Sequence, residues 1–505
     1  IGNAYNVANS NWKSIHNPVT QEMISSGLNI PDELIDDDVY YSNVTTATKT
    51  QGLRDFHNRY VKKRLIMSVG KKGDTLIDFA VGKGGDISKW INAQLSFVFG
   101  IDYSKDNIEN RINGACARFL NKRKEFKYVP YALFVHGDSS VNIRNGNALK
   151  SDKAIQIAKA VFGEGVKSEE KLGKGVFRQY GKGEDGFNVS SCQFALHYFF
   201  KDQSTFQNFM RNVAECTKVG GYFIGTCYDG KTVFNLLKST EPGKSISLYD
   251  SGTKIWEVRK DYTSDSFEND ISCLNREISV YQESINQLIP EFLVNFDYLN
   301  RVMEDYGFKL VTRDEAKDLG LPDGSGLFSE LYATMEEEVR RNKFRANEYG
   351  SALKMNANEK KISFLNRYYV YKKIRNVNAE KVTLEQLDED ADEFIAEQIA
   401  DLEKPDKEVP MKKATKEKAP KEKKSRVRKL TSKLVLADTV DDPITVKESS
   451  AKEKDTIDIM EIPENNENDL VIETEKLNDG VLEEPVVMEE PVVMEEPVVM
   501  EEPVV

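Results

Sequence analysis

The chain has 505 residues, 39% hydrophobic and 30% charged, with a formal net charge of −13. Its apolar content lies below the roughly 45–50% of an ordinary globular chain (counted with Gly), and the deficit sits in the C-terminal quarter, which favours one large folded domain plus a tail over the two or three domains that length alone allows. No apolar stretch reaches the ~18 residues of a membrane span, no signal peptide is visible, and neither the five cysteines nor the four histidines show zinc or CxxC spacing, so a membrane segment, structural disulfides and a structural metal are not expected.

Residues 1 to about 50 are polar, with turn signals at Asn17-Pro18 and Ile30-Pro31-Asp32. They read as a lead-in that packs on the domain or links to something upstream. With Ile1 in place of an initiator Met, the chain is expected to be cut from a longer polypeptide. Leu53 to Ile66, LRDFHNRYVKKRLI, carries apolar residues at helical spacing and a basic face. Thr75 to Ala80 is an apolar β-like run that ends in the glycine-rich turn Gly82-Lys83-Gly84-Gly85, and Asp86 opens a helix-like segment. This strand–turn–helix lets backbone approach a nucleotide-like ligand closely. A second apolar run ends at Asp102, 24 residues after Asp78. An acid at about 20 residues is the usual acceptor for a ribose hydroxyl pair.

Strand signals at 75–80, 96–101, 131–135, 187–192 and 221–226 alternate with helix signals at 86–94, 104–122 and 202–217. That alternation predicts an α/β fold with a mostly parallel, doubly wound sheet and helices on both faces. Residues 141–186 interrupt it as a polar insertion that ends in a glycine- and lysine-rich loop. A strand at Lys254–Lys260, a helix near Phe296–Tyr306 and a strand at Arg367–Tyr371 follow. The domain is expected over 51–375 and the tail over 376–505. Thr383-Leu-Glu-Gln386 resembles a capping box ahead of one acidic helix. Residues 404–433 are lysine-rich, and from Glu483 the unit EEPVVM recurs three times before a final EEPVV. Such a segment buries too little apolar surface to fold alone. It reads as a solvating tail, with a docking tail for a partner as the sharper alternative.

The glycine turn by itself is ambiguous: NAD-, FAD- and S-adenosylmethionine-binding proteins all use one, and a structural tight turn is the plain alternative. Four blocks taken together are more specific. DFAVGKGGDISKW (78–90), the SCQF–HY segment (191–198), GGYFIGT (220–226) and PEFLV (290–294) stand in the same order as in the mRNA cap guanine-N7 methyltransferases of eukaryotes and viruses. The chain resembles that family over about residues 40–373. "GTCYDG" and "FLNRYYVY" look most like the enzymes of large DNA viruses, in which the methyltransferase is the C-terminal part of a multifunctional capping enzyme.

The resemblance implies a Rossmann-like class I fold, S-adenosylmethionine as cofactor and a capped mRNA 5′ end as substrate. It also implies guanylyltransferase and triphosphatase domains upstream in the same polypeptide, an RNA polymerase or other docking protein as a partner, no membrane association, and action in the host cytoplasm or viral factory. Carried over by position, the cofactor contacts fall on Lys62, Ala80, Gly82, Asp102, Asp138, Gln193 and Tyr198. Asp138 has an Asx-turn role as its plain alternative. The cap contacts fall on Asn58, Lys83, Lys89, Arg118, Phe194, His197, Glu291 and Tyr368. The three cations suit a triphosphate, Glu291 suits the N1 and N2 hydrogens of guanine, and the rings of Phe194 and Tyr368 suit stacking. His197 has a core histidine as its plain alternative. No acid–base residue is expected, because guanine N7 carries a free lone pair. Two rivals remain: another S-adenosylmethionine-dependent methyltransferase, and a non-catalytic module that binds cap or RNA.

Overall fold

The structure, a computed structural model, describes residues 49–387. The central sheet carries strands β1 (Thr75–Asp78), β2 (Phe97–Asp102), β3 (Tyr131–His136), β4 (Phe187–Gln193) and β5 (Thr217–Tyr228). β2 pairs with β3, β1 with both β2 and β4, and β4 with β5, all parallel. After an excursion the chain returns to this sheet with β10 (Phe308–Leu310), β11 (Ser325–Leu327) and β12 (Asn366–Lys373), and β12 lies antiparallel along β5. The spatial order is β10-β12-β5-β4-β1-β2-β3, with β11 beside β12. The central strands β1 and β2 are almost wholly buried because both faces of the sheet are covered there. Pleating sends Val98 and Tyr368 into one core with Trp90 and Phe56, and Phe99 and Tyr369 into the other with Phe187 and Phe209. Strand order reverses at β1, whose neighbours are β4 on one side and β2 on the other, so the carboxyl ends of these strands open a crevice.

The sequence-predicted strands all form. Helix 104–122 instead divides into Lys105–Glu109 and Ala115–Glu125, broken where Gly114 stands as N-cap of the second. The polar insertion folds onto the domain through helix Asp152–Val161, whose Ala154, Ala158 and Val161 are buried. The excursion between β5 and β12 builds a second, antiparallel sheet of β6 (Ser245–Asp250), β7 (Thr253–Lys260), β8 (Glu277–Gln282) and β9 (Leu288–Phe292), which sequence periodicity showed only at β7. All five cysteines are free thiols, four of them buried. Among the described residues no helix is long and apolar enough to cross a membrane and no cluster of side chains could hold a metal ion.

The expected domain end and the capping box both need correction. Residues 379–387 are helical, so Thr383 sits inside a helix rather than at its start. Its hydroxyl is buried, donates to the Ala379 carbonyl and shares a 2.7 Å hydrogen bond with Tyr306 Oη. Gln203 Nε2 donates to the Gln386 carbonyl at 2.9 Å, and Arg211 pairs with Glu380 at 3.3 Å. The first turns of the expected tail are thus packed on helix Gln203–Cys216. The remaining repeats and the lead-in lie outside the described residues. A chain ending at Asn376 is expected to melt several degrees below one ending at Leu387, at roughly 2–4 °C per kcal/mol lost. Scanning calorimetry of the two truncations measures the difference, and equal melting temperatures would refute the packing role.

Candidate active site

A cleft of about 480 Å³ opens at the carboxyl ends of β1, β4 and β5. Its floor is the turn after β1. Gly82 has φ +54° and Gly84 φ +69°, the left-handed region that glycine enters without steric cost. The turn is pinned from beneath by Asp102 at the end of β2. The Asp102 carboxylate accepts from Gly82 N at 2.7 Å, Ser104 N at 3.0 Å and Asn107 Nδ2 at 2.9 Å. Burial raises the pKa of Asp102, and these donors oppose the shift. Asp102 therefore supports the floor rather than lining the cleft, although its position under the turn keeps it beside the crevice.

One wall is the leading helical run: α-helical Gln51–Asp55, π-helical Phe56–Lys62 and α-helical Lys63–Val69. A π-helix adds a residue to the turn and commonly marks functional positions. Here the widened stretch carries His57, Asn58 and Lys62 to the cleft. The opposite wall begins where β4 ends. Phe194 has φ +57°, an uncommon and strained conformation for an aromatic residue, held by its amide donating to the Thr226 carbonyl at 2.8 Å. The twist turns its ring toward His57, stacked at 5.2 Å and 19°, with Lys62 Nζ 5.6 Å from the ring centre. The Gly225 strand contact explains the GGYFIGT block: a Cβ there would lie 2.1 Å from both the Cys192 carbonyl and Tyr369 Oη. β4 and β5 can approach only because that position is glycine.

The antiparallel sheet supplies the roof. Glu291, on β9, is 5% exposed and its Oε2 has no hydrogen-bond partner. His197 is 4% exposed and neither ring nitrogen has one. They stand 3.7 Å apart, beyond hydrogen-bond distance. Burial raises Glu291 to about 8 and lowers His197 to about 3. Both therefore favour their neutral forms near neutral pH, and the pair is not an ion pair. An unpaired buried polar group costs about 1–3 kcal/mol, so two of them facing one cleft mark a place built to bond a ligand.

The cations are mostly committed. Asp86 holds Lys62 at 3.2 Å and Lys89 at 2.8 Å. Burial would raise Asp86, but the two lysines outweigh it and bring it to about 2. Lys83 pairs with Asp106 at 2.8 Å and donates to Asn113 Oδ1 at 3.2 Å. Asp78, buried with one hydrogen bond from Ala80 N, is raised to about 8 by burial and by Asp86.

Of the fifteen positions carried over from sequence, the cleft brings together Asn58, Lys62, Ala80, Gly82, Lys83, Arg118, Gln193, Phe194, His197 and Glu291. Gln193 is fixed by its contacts with Ser191 and Thr226. Tyr198 packs edge-on against His197 at 4.2 Å. Asp138 forms the Asx turn, accepting from Ser140 N at 2.9 Å and Ser140 Oγ at 2.6 Å. Two cap assignments fail. Lys89 is 5% exposed, bonded to Asp86 and the Gly85 carbonyl, and does not reach the cleft lining. Tyr368 is fully buried in the sheet core, where its hydroxyl donates to the Asp323 carbonyl at 3.0 Å, so no base can stack on it. Asn366, two residues earlier on β12, lines the cleft instead. Tyr228 and Gln282 also line it and were missed. Tyr228 follows GGYFIGT closely enough for that block to have included it, whereas Gln282 belongs to a strand with no sequence signal.

Residues 42–374 match the family described as the mRNA (guanine-N(7))-methyltransferase domain. The chain belongs to this family. It is 26% identical over 408 residues to the probable mRNA-capping enzyme of Acanthamoeba polyphaga mimivirus, a match covering 75% of this chain and 33% of that protein. It is 26% identical over 260 residues to mRNA cap guanine-N(7) methyltransferase 1 of Arabidopsis thaliana, covering 50% of this chain and 58% of that one. The Saccharomyces cerevisiae mRNA cap guanine-N(7) methyltransferase is 27% identical over 262 residues, covering 52% and 51%. The chain thus spans between a third and three-fifths of the length of these relatives. Family membership accounts for the order of the four blocks and for their convergence on one cleft.

Replacing Asp102 with Ala leaves three donors beneath the turn without their acceptor. Chemical denaturation is expected to show a loss of about 3 kcal/mol or more, from about 1–3 kcal/mol for each unpaired buried group. A loss below about 1 kcal/mol would show that Asp102 does not hold the turn.

Proposed function

We propose that this chain transfers a methyl group from S-adenosylmethionine to N7 of the guanine cap at the 5′ end of mRNA. The observation that carries the reading is the unpaired Glu291–His197 couple facing the glycine turn across one cleft. Guanine offers N1 and N2 hydrogens to a carboxylate and an O6 acceptor to a neutral imidazole, a pattern adenine lacks.

The cofactor fits the residues at the floor. The Gly82–Gly85 turn leaves backbone exposed, Gly85 has open space where a Cβ would point, and Ala80 is the small residue beside it. Lys62, Ala80, Gly82 and Gln193 would hold the cofactor, with Asp102 beneath. When bound, S-adenosylmethionine supplies an electrophilic methyl group on a sulfonium.

The side chains of this protein then act by positioning. Glu291 and His197 bind the guanine edge, which fixes the direction of N7. Phe194, locked in its strained conformation, offers a ring face for the base. Lys83 and Arg118 lie at the cleft wall and suit the triphosphate. Holding nucleophile and methyl group in near-attack geometry accounts for roughly 7–11 kcal/mol of a barrier, and N7 needs no base to activate it. Glu291 is neutral in the free protein and gives up its proton to solvent when the guanine N1 and N2 hydrogens occupy its two oxygens, while His197 stays a neutral weak base, which suits hydrogen bonding better than proton abstraction from the substrate.

A methylation assay comparing GpppA, GTP and uncapped RNA tests the reading, with transfer to GpppA as the expected result. No transfer to any guanine would refute it and favour a module that only binds. Glu291→Gln keeps the shape but replaces an acceptor with a donor. It is expected to lower methylation of GpppA about tenfold or more, since a good base-edge pair is worth about 1–3 kcal/mol, while ultraviolet crosslinking of labelled S-adenosylmethionine stays intact. An unchanged rate would assign the guanine edge to another residue.

Glu291 also sets a pH dependence in the free protein. Its carboxyl holds a proton up to about 8 when folded and releases it near 4.5 when unfolded. The folded state thus binds more protons between those values, and its stability falls as pH rises through them. Asp78 acts in the same sense. Melting temperatures measured across this window are expected to fall less steeply for Glu291→Gln than for the wild type. Parallel curves would show that Glu291 is already ionised in the free protein.

A further inference from the structure

We propose that the helix Ala115–Glu125 and the segment after it form a binding track for the single-stranded RNA that follows the cap. This inference rests on the function proposed above and extends it from the cap to the body of the transcript. Arg118 lines the cleft and is also exposed on this helix, so the track begins inside the site. Arg118, Asn121 and Lys124 recur at every third residue, which places them along one ridge of the helix surface, and Lys127 continues the spacing just past its end. All four are exposed. The helix rises about 1.5 Å per residue, so Lys124 lies about 9 Å along the axis from Arg118, a span suited to the first nucleotides beyond the triphosphate.

Charge sets this surface apart from the rest of the chain. The whole protein has a net charge of −13, yet residues 111–127 hold six Lys or Arg against the single acid Glu125. Lys122 is the cation that Glu125 neutralises, and it leans over the Phe126 ring at 5.3 Å. Among the described residues Arg118, Arg123, Lys124 and Lys127 form no ion pair. Cations in the last turn of a helix also complement its dipole, but that effect fades beyond the last turn and places no cation at Arg118 or Lys127. Aromatic rings stand among the cations. Phe126 is 45% exposed and Tyr128 is 47% exposed. Tyr128 is anchored by its hydroxyl, which donates to the Leu95 and Gln94 carbonyls, so its ring is held in place at the surface. Cations for phosphates interleaved with fixed rings for bases is the composition of a sequence-tolerant single-strand surface.

The test is binding, read separately from methyl transfer. Fluorescence anisotropy of a labelled, capped RNA oligonucleotide is measured against salt for the wild type and for Lys124→Ala/Lys127→Ala. Each phosphate contact to a single strand contributes about 0.7 to the slope of log affinity against log salt. The double variant is therefore expected to lower that slope by about 1.4 and to weaken oligonucleotide binding several-fold, with the KM for GpppA unchanged. Tyr128→Ala is expected to weaken the oligonucleotide alone and to leave the salt slope as it is. An unchanged slope and affinity would overturn the track. Equal losses on GpppA and on the oligonucleotide would also overturn it, because they would mean a disturbed cleft. A wild type that bound the oligonucleotide yet transferred no methyl group would refute the cap methylation reading while the slope still tested the track.

Discussion

The carboxylate of Asp102 ties the end of β2 to the turn at the end of β1, and the site is assembled on that bond. Its three donors come from the Gly82 turn, from Ser104 and from Asn107, so one side chain fixes a glycine loop that has little side-chain packing of its own. With the floor fixed, the parallel register of β1 with β4 and β2 sets how far every other element stands from it. Gly225 lets β5 approach β4, and the hydrogen bond from the Phe194 amide to the Thr226 carbonyl then holds Phe194 in a backbone conformation it would not choose. Strain at that position is stored by a rigid sheet, as functional sites commonly require.

The cleft is also where the protein gives up stability. Glu291 and His197 are buried without partners, and Asp78 is buried with a single hydrogen bond close to Asp86. A fold selected for stability alone would fill these positions with apolar groups or complete their hydrogen bonds. Lys62, Lys83 and Lys89 show the opposite arrangement, since each is held by an aspartate. Positive charge is therefore arranged beforehand, while the two groups proposed to read the guanine edge are left without partners. That division matches the chemistry of a reaction in which recognition and alignment matter more than proton transfer.

Much of this was legible in the chain itself. The strand–turn–helix at 75–90 was visible because a buried parallel strand is continuously apolar and a tight turn demands glycine. Asp102 was visible because sheet topology fixes its distance from that strand. The second sheet was not, since β6 (SISLYD), β8 (EISVYQ) and β9 (LIPEF) interleave polar with apolar residues and each is stabilised by its neighbours rather than by its own residues. Glu291 was found through the PEFLV block and not through any strand pattern. Tyr368 was misplaced because an aromatic side chain suits core and cleft equally well, and it lies two residues deeper along the same face of β12 than Asn366, where the strand is covered. Which strand residue reaches the cleft depends on where β12 ends against β5, and Asn366 holds that place.

Local patterns determined the parallel sheet, the glycine turn and the order of the blocks, because each depends on residues near one another in sequence. Tertiary structure alone decided three things: that Lys62 is bound to Asp86, that residues 379–387 pack against helix Gln203–Cys216, and that Glu291 and His197 meet without partners. Each is a contact between separate elements of the chain, formed only when the sheet has brought those elements together.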